Sequence, residues 1–432
     1  MGAGPAGLYA AEALVEQDDV PVAVDVIDRL PTPYGLVRYG VAPDHPRIKS
    51  VIASLQEVLE HPHVRYLGGL EMGREVERDD LLQHYDAVVY ATGAKVCQRM
   101  GIPGEDLPGS LPASEVVSWY SGHPDAAPTL DLDARSVAVV GAGNVAIDIA
   151  RMLVKTADDL RHTDLAPAVL DALRASTVQE VHLLSRRGPA QAKFTTKELR
   201  ELGEIPGTDV VVDRVSVAGD HGEVSRAVGA NLRILSQWAD QERQARERLL
   251  QLNFWSRPVA ILGDGRVEAI RVERTALSPD GALVATGEVL ELPVQMVVRA
   301  VGYRSIPLPG VPFDAERAVV PNSEGRIVPL PTDAPSHEYV AGWLKRGPSG
   351  VIGTNKLCAV ETVRTLLSDL ATSDPPGERP LLEETLRARG HTVVTYAGWL
   401  AIDAAEVERG RADGRDRVKI PDWETLRALS SA

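Results

Sequence analysis

Cysteine is nearly missing from this chain, which has only Cys97 and Cys358 among 432 residues. Placed so far apart, the two form no CxxC redox pair and fall short of the ligands of an iron-sulfur cluster or a zinc site. The sequence therefore predicts no metal centre, and the thiols read as those of a reduced, cytoplasmic protein. Basic charge is also scarce. Lys and Arg number 46 against 61 Asp and Glu, and the net charge of −15 argues against nucleic acid or an anionic membrane as partner of the whole molecule. No apolar run approaches the ~20 residues of a membrane span, and no basic stretch leads an export signal. What is present is a hydrophobic fraction of 44%, ample for two domains with their own cores.

Two glycine-rich fingerprints stand out, Gly2-Ala3-Gly4-Pro5-Ala6-Gly7 and Gly141-Ala142-Gly143-Asn144-Val145-Ala146. In such a turn the first glycine permits the sharp strand-to-helix reversal, the second lets a pyrophosphate approach the backbone, and the small third residue lets helix pack on strand. The helix start then offers unpaired N–H groups and a positive dipole to the phosphates. A helical stretch follows Gly7, then an apolar strand from Val22 to Ile27 ending in Asp28, 21 residues after that glycine. A carboxylate at this spacing accepts the ribose hydroxyls of an adenosine, although a plain strand-end turn acid has the same appearance. The second fingerprint has its own strand, Ser136 to Val140, and a later strand, Val181 to Leu184, ends in Ser185-Arg186-Arg187. Arginines where an NAD enzyme places an acid suit a 2′-phosphate, because a guanidinium offers paired donors and a carboxylate repels. The 45 residues between Gly141 and Arg186 include a helical, charged insertion from Lys155 to Ser176. Together the fingerprints read as one flavin site and one NADPH site.

The chain start is unusual, since Met1 alone stands where an apolar strand should precede Gly2. The sequence predicts that a leading segment has been lost and that the first sheet lacks its central strand, which puts FAD retention in doubt. Two strand ends, Val88-Val89-Tyr90 into Gly93 and Val297 to Tyr303, bracket the second fingerprint. The expected fold class is α/β, with two nested Rossmann-like nucleotide-binding domains. An NADP domain at 94–304 is inserted into a discontinuous FAD domain at 1–93 and 305–432.

Longer motifs add a resemblance. The run from Pro31 to Pro46, the segment Ile102 to Gly109, Arg186 to Pro189 with Phe194 to Glu201, and Gly342 to Lys356 all resemble, in order, the adrenodoxin-reductase-like ferredoxin–NADP reductases. The resemblance implies FAD contacts at Gly2, Gly4, Ala6, Gly7, Asp28, Leu36, Met72, Trp343, Gly350, Val351 and Ile352. It implies NADP contacts at Gly141, Ala142, Gly143, Asn144, Val145, Arg186, Arg187, Arg99, Glu198 and Gly350, the last serving both cofactors. His45, Asp148 and Glu198 match the family's polar groups near the nicotinamide. Two departures are conservative: Asp28 and Tyr34 stand where relatives more often carry Glu and Trp.

The implied reaction passes a hydride from NADPH to FAD and then single electrons to a ferredoxin-type carrier protein. Without a CxxC pair, electrons leave to an external acceptor. An acidic carrier needs a basic dock, expected between Asn231 and Arg257 around Arg233, Arg243, Arg246, Arg248 and Arg257, with Arg200 nearby; a solvated mixed-charge helix reads equally well there. A monomer or weak dimer is expected. Two other readings stay open at this stage, a flavoprotein subunit like the small subunit of glutamate synthase, and a non-catalytic nucleotide-binding protein with a damaged flavin site. Asp374 to Gly377 reads as a linker, with helices around 381–389 and 423–429 beyond it.

Overall fold

Strands of valine and alanine buried on both faces dominate the middle of the chain, and the computed structural model shows where they go. It describes residues 1–219, 222–328, 337–372, 377 and 379–431. Asp374 to Pro376 of the expected linker lie outside the described residues. The chain forms two compact units, one of Met1–Val96, Ser121–Asp125 and Tyr303–Ala432, the other of Cys97–Tyr120 and Ala126–Gly302. The sequence reading set the breaks after residues 93 and 304, and it did not anticipate the short return of Ser121–Asp125 to the first unit.

The second unit is built on a six-stranded sheet. Its order is Ser110–Pro112, Met296–Arg299, Ser136–Val140, Glu180–Leu184, Arg248–Asn253 and Thr208–Val212, with every neighbouring pair parallel. All five residues of Ser136–Val140 are buried, as a parallel strand covered on both faces requires. The helix Asn144–Val154 packs Ile147, Ile149, Ala150 and Leu153 into the core under it. Lys155 to Ser176 holds two helices, Ala157–Leu160 and Pro167–Ala175. An antiparallel sheet of Ser256–Leu262, Ala269–Leu277 and Leu283–Pro293 is added to this unit. Its alternating strands gave no nucleotide motif, and the sequence reading passed over them.

In the first unit the parallel pair Val24–Asp28 and Val64–Gly68 is separate from a four-stranded set, Asn322–Ser323, Arg326–Ile327, Glu338–Val340 and Val88–Tyr90. Met1 and Gly2 bridge the two sets, since Gly2 N–H donates to the Ile27 carbonyl at 2.6 Å and Ala91 N–H donates to that of Met1 at 2.8 Å. Helix Pro5–Val15 buries Leu8, Ala10 and Ala11 in a core with Val26, Leu55, Trp399 and Ile402. The long helices Thr354–Leu370 and Tyr396–Ala412 complete the unit.

Tyr396–Ala412 brings Glu406 under the Pro31 to Pro46 run. The fully buried Glu406 carboxylate receives both Arg38 Nη atoms, at 3.0 and 2.5 Å, and the Ile420 N–H at 2.9 Å. The Arg38 guanidinium lies 5.0 Å from the Tyr39 ring and 5.1 Å from that of Trp399. Burial opposes the charge of Arg38, but Glu406 more than offsets it and raises the pKa further above its ordinary value. Buried Lys419 Nζ donates to the Arg38 and Ser121 carbonyls at 2.7 and 3.0 Å, which fastens the returning segment. Asp125 secures its other end, accepting from Arg29 at 2.5 Å and from Trp423 Nε1 at 2.8 Å.

Between these anchors His123 accepts the Asp125 N–H through Nδ1 at 3.1 Å, and its ring centroid is 4.8 Å from that of Tyr39. Burial lowers its pKa from 6.5 to about 4, against the pull of Asp125 and with the help of Arg29, Lys95 and Arg38. The imidazole is thus neutral when folded and charged in the unfolded chain below 6.5, so its contribution to stability is present above 6.5 and is lost as pH falls toward 4. Across that window the folding constant should drop by up to about tenfold per pH unit on this account, and His123→Gln should flatten the slope in denaturant melts. Equal slopes in both proteins contradict the assignment.

Candidate functional site

Several helices in this chain close their first turn with a side chain. Thr195, Asp213, Ser225, Thr395 and Asp422 each accept a backbone N–H at the helix start. The helices after the two glycine fingerprints do not. Gly4 and Gly143 occupy the cap positions of Pro5–Val15 and Asn144–Val154, with no side-chain cap and no acid in the first turn. Donors and dipole are left open in both places, as an anion site requires.

The glycines in each turn divide by what surrounds them. A Cβ on Gly2 would lie 2.5 Å from the Ala91 carbonyl oxygen, one on Gly7 1.9 Å from that of Gly2, and one on Gly141 2.3 Å from that of Ala300. Gly2 and Gly141 also have φ of +111° and +146°. The fold itself demands these glycines. The middle ones are different: a Cβ on Gly143 would meet nothing within 4 Å, and one on Gly4 only the Gly35 Cα at 3.9 Å. Their emptiness leaves open space over each helix start, the room that a pyrophosphate in such a turn requires.

Around the first turn, Asp28 accepts the Ala3 N–H at 2.6 Å through one oxygen and the Leu30 N–H at 2.9 Å through the other. These bonds aim the carboxylate, and each oxygen keeps a lone pair for a ribose hydroxyl. Gly342 has φ of +71°, and a Cβ there would lie 2.5 Å from that of Ala6, so the segment carrying Trp343 runs against the turn. Trp343 donates through Nε1 to the Ser349 carbonyl at 3.2 Å, and its ring lies 6.0 Å from that of Tyr303. Gly350 is left-handed at +82°, Val351 is exposed, and Ile352 is half-buried. Leu36 is exposed directly after Gly35, whereas Met72 is a core residue packed with Leu67, Leu70 and Tyr90. Gly35 and Gly342, which the sequence reading did not single out, are close-approach positions beside Gly4 and Ala6.

In the second unit the Ala142 carbonyl accepts the Lys193 N–H at 2.7 Å, Asn144 Oδ1 accepts that of Thr195 at 2.9 Å, and Val145 packs on the core. Arg186 and Arg187 follow strand Glu180–Leu184 with exposed side chains, and neither guanidinium meets a hydrogen-bonding or ionic partner among the described residues. Arg99 is also exposed but paired with Asp106 at 2.6 Å, a surface contact that opens at little cost.

The chain as a whole matches a known group of proteins. The profile described as pyridine nucleotide-disulphide oxidoreductase fits residues 1–205. NADPH-ferredoxin reductase FprA of Mycobacterium tuberculosis is 43% identical, over 99% of this chain and 97% of its own length. The chain belongs to the NADPH–ferredoxin reductase family. The mitochondrial NADPH:adrenodoxin oxidoreductase of Arabidopsis thaliana is 38% identical over 100% of this chain and 94% of its own. The structure of Mycobacterium tuberculosis FprA in complex with NADPH superposes with a TM-score of 0.95 at 42% identity, covering 100% and 98% of the two chains. The family is one of α/β flavoprotein oxidoreductases that use FAD and NADPH.

Of this reductase's expected polar groups, His45 is buried in the first unit, where its carbonyl accepts the N–H groups of Ile48 and Lys49. Asp148 and Glu198 lie in the second unit and share Arg151, which donates to them at 2.8 and 3.3 Å and to Glu201 at 3.3 Å. Arg151 is almost wholly buried, and sequence reasoning missed it. The one available signal was its i, i+3 spacing from Asp148 on a helix. It fixes the orientation of both carboxylates and offsets part of their charge. Buried Glu105, within the Ile102 to Gly109 motif, has a similar structural task, receiving the Met100 and Gly101 N–H groups at 2.7 and 2.8 Å and Arg299 at 2.6 Å.

The contrast between glycines is testable. Gly143→Ala and Gly4→Ala should fold with a stability change of about 1 kcal/mol or less while weakening NADPH or FAD binding, respectively, about tenfold or more. Gly7→Ala and Gly141→Ala should instead lower the melting temperature. Flavin content, equilibrium NADPH titration and melts on the four variants distinguish the classes, and a uniform response would remove the distinction.

Proposed function

We propose that the first unit holds FAD, that the second holds NADPH, and that this reductase delivers electrons to an acidic iron-sulfur carrier of ferredoxin type. The observation carrying this reading is the pair of uncapped helix starts with differently charged neighbours. One lies beside an aimed carboxylate, Asp28, and the other shares its sheet with two unpartnered arginines, Arg186 and Arg187. A carboxylate favours free ribose hydroxyls and repels a phosphate; a guanidinium pair does the reverse.

FAD, when bound, accepts an electron pair from the reduced nicotinamide and releases it one electron at a time. The protein's part is binding and orientation. Asp28 holds the adenosine ribose, the open N–H groups at the start of Pro5–Val15 hold the pyrophosphate, and the Gly342–Ile352 segment supplies Trp343 and the left-handed Gly350 on the flavin side. On the NADPH side the start of Asn144–Val154 takes the pyrophosphate, and Arg186 with Arg187 clamps the 2′-phosphate. Arg99 adds a donor after leaving Asp106. Asp148 and Glu198, fixed by Arg151, orient the nicotinamide end, and His45 contributes a polar group there.

Both cysteines are free, Cys97 Sγ accepting the Ser114 N–H and Cys358 Sγ that of Gly342, so no dithiol relays the electrons. A relative from Mycobacterium bovis, 40% identical over 75% of its length, is named a probable ferredoxin/ferredoxin–NADP reductase, which supports a ferredoxin as carrier. The carrier dock is smaller than the sequence suggested. Arg246 is engaged by the Thr208 carbonyl and Gln244, Arg248 by the Val154 carbonyl, and Arg257 by Glu273. Arg200, Arg233 and Arg243 remain exposed without side-chain partners among the described residues. A cytoplasmic location and a monomeric or weakly dimeric state belong to the same proposal; among the described residues no helix is long and apolar enough to cross a membrane.

The visible spectrum tests the core of this reading. NADPH should bleach the flavin bands, and added ferredoxin should restore them with turnover; a colourless protein that binds NADPH contradicts it. Replacing Arg186 and Arg187 by Ala should raise the NADPH KM about 10- to 100-fold and leave the NADH KM in place. Arg233→Glu with Arg243→Glu should raise the carrier KM at low salt without slowing dye reduction. Unchanged carrier kinetics would reject the dock.

A further inference from the structure

Ser121–Asp125 belongs with the first unit although the chain on either side of it belongs to the second. Both ends are fastened by residues from near the C-terminus. Lys419 Nζ holds the Ser121 carbonyl at 3.0 Å, and Trp423, the first residue of helix Trp423–Ser430, donates through Nε1 to Asp125 Oδ1 at 2.8 Å. The start of that helix is itself capped by Asp422, which accepts the Thr425 N–H at 2.7 Å. Between the ends the His123 ring packs edge-on against Tyr39. The segment is thus held in one conformation, and the only charged side chain it brings to the first unit at neutral pH is the carboxylate of Asp125.

The other oxygen of that carboxylate faces Arg29. Arg29 follows Asp28 directly, just past the end of strand Val24–Asp28, and its Nη2 donates to Asp125 Oδ2 at 2.5 Å. Glu71 lies near the same guanidinium, with Oε1 3.9 Å from Nε, and the Trp423 ring centroid is 5.6 Å away. Burial opposes the charge of Arg29, but Asp125, Glu71 and Asp28 more than offset it and raise the pKa above its ordinary value. Asp28 is therefore within electrostatic reach of Arg29, yet its bonds come from elsewhere, from the Ala3 and Leu30 N–H groups. Each Asp28 oxygen keeps a lone pair. A guanidinium fork is a strong occupant of such lone pairs, so an arginine next in the chain competes with any hydroxyl that must bind there.

We propose that Asp125 is a positioning residue of the flavin site: it draws the Arg29 guanidinium away from Asp28 and so keeps that carboxylate open to the ribose hydroxyls of FAD. The inference rests on the assignment of Asp28 to that ribose. Glu71 is a poor substitute for Asp125, since at 3.9 Å it makes no hydrogen bond to Arg29. Loss of the Asp125 charge thus releases Arg29 toward Asp28. Asp125 is 46% exposed, so its replacement leaves the core packing intact.

Release of FAD from the holoenzyme on dilution, followed by flavin fluorescence, gives the dissociation constant that tests this. Asp125→Ala should raise it about tenfold. Asp125→Asn keeps an acceptor for Trp423 and removes only the charge, and it should raise the constant about threefold or more. Arg29→Gln alone should leave it within about twofold of the wild type. Added to Asp125→Ala, Arg29→Gln should restore wild-type affinity, a rescue that a merely loosened segment would not show. Unchanged release from Asp125→Ala overturns the proposal, and so does a double variant as weak as Asp125→Ala itself. Asp28→Ala separates that failure from failure of the underlying reading. It should weaken FAD binding about tenfold, and Asp125→Ala should add nothing in that background. If Asp28→Ala retains FAD as the wild type does, the ribose assignment is wrong and the proposal falls with it. If Asp28→Ala releases FAD while Asp125→Ala does not, the ribose assignment stands and the role of Asp125 alone is rejected.

Discussion

Everything in this molecule that concerns nucleotides depends on one electrostatic constraint, that two helices begin with their N–H groups unspent. An N-terminal turn in which a serine, threonine or aspartate accepts one of these donors is more stable by about 1 kcal/mol. The chain uses that device at Thr195, Ser225, Thr395 and Asp422 and omits it at Gly4 and Gly143. Where a cap is missing, the stability forgone on folding is recovered when a phosphate arrives. The same turns must be narrow enough for a helix to follow a strand at once, and this is why Gly2, Gly7 and Gly141 meet backbone oxygens at distances that exclude any side chain. One motif therefore serves two masters, the outer positions the fold and the middle position the ligand.

The two units then diverge by charge. Asp28 is held by two backbone N–H groups, a geometry that keeps it facing one direction. Arg186 and Arg187 sit at the corresponding edge of the other sheet with no acid drawn in against them among the described residues. The buried or half-buried arginines elsewhere are paired, as Arg38 with Glu406, Arg78 with Glu338 and Arg299 with Glu105 show. In a protein of net charge −15, an adjacent unpaired couple is a local concentration of positive charge.

How much of this was legible follows from the range of the interactions. The fingerprints, the acid after the first and the arginines after the second are local signals, and the strands and helices they announce are where the sequence puts them. Arg38 and Glu406 are 368 residues apart, and no local pattern links them. Helix Tyr396–Ala412 buries Trp399, Ile402, Glu406 and Gly410 on a face that includes a charged residue, so it shows no clean apolar stripe. The basic segment from Asn231 to Arg257 is legible only as charge for a related reason. Sequence shows that Arg246, Arg248 and Arg257 are basic, but only the fold shows that a backbone carbonyl or a cross-strand glutamate already occupies them.

The buried Arg38–Glu406 pair also explains how a first unit with a divided sheet holds its flavin turn in place. Among the described residues, Met1 and Gly2 alone carry backbone bonds between the two sets of strands, so the hydrogen-bond ladder that usually fixes such a turn is short. Gly35 lies against Gly4, with the Gly4 Cα only 3.0 Å from where a Cβ on Gly35 would stand, and Tyr34 N–H donates to the Ala3 carbonyl at 2.8 Å. Three residues on, Arg38 is clamped by Glu406, and its carbonyl is held by Lys419. The C-terminal helix thus supports the turn from outside the sheet, through the Pro31 to Pro46 run. A buried ion pair adds little net stability over an apolar substitute, but removing one partner costs about 3–5 kcal/mol, so it acts as a strict latch. The Pro31 to Pro46 run is for this reason a clamp on the first glycine turn.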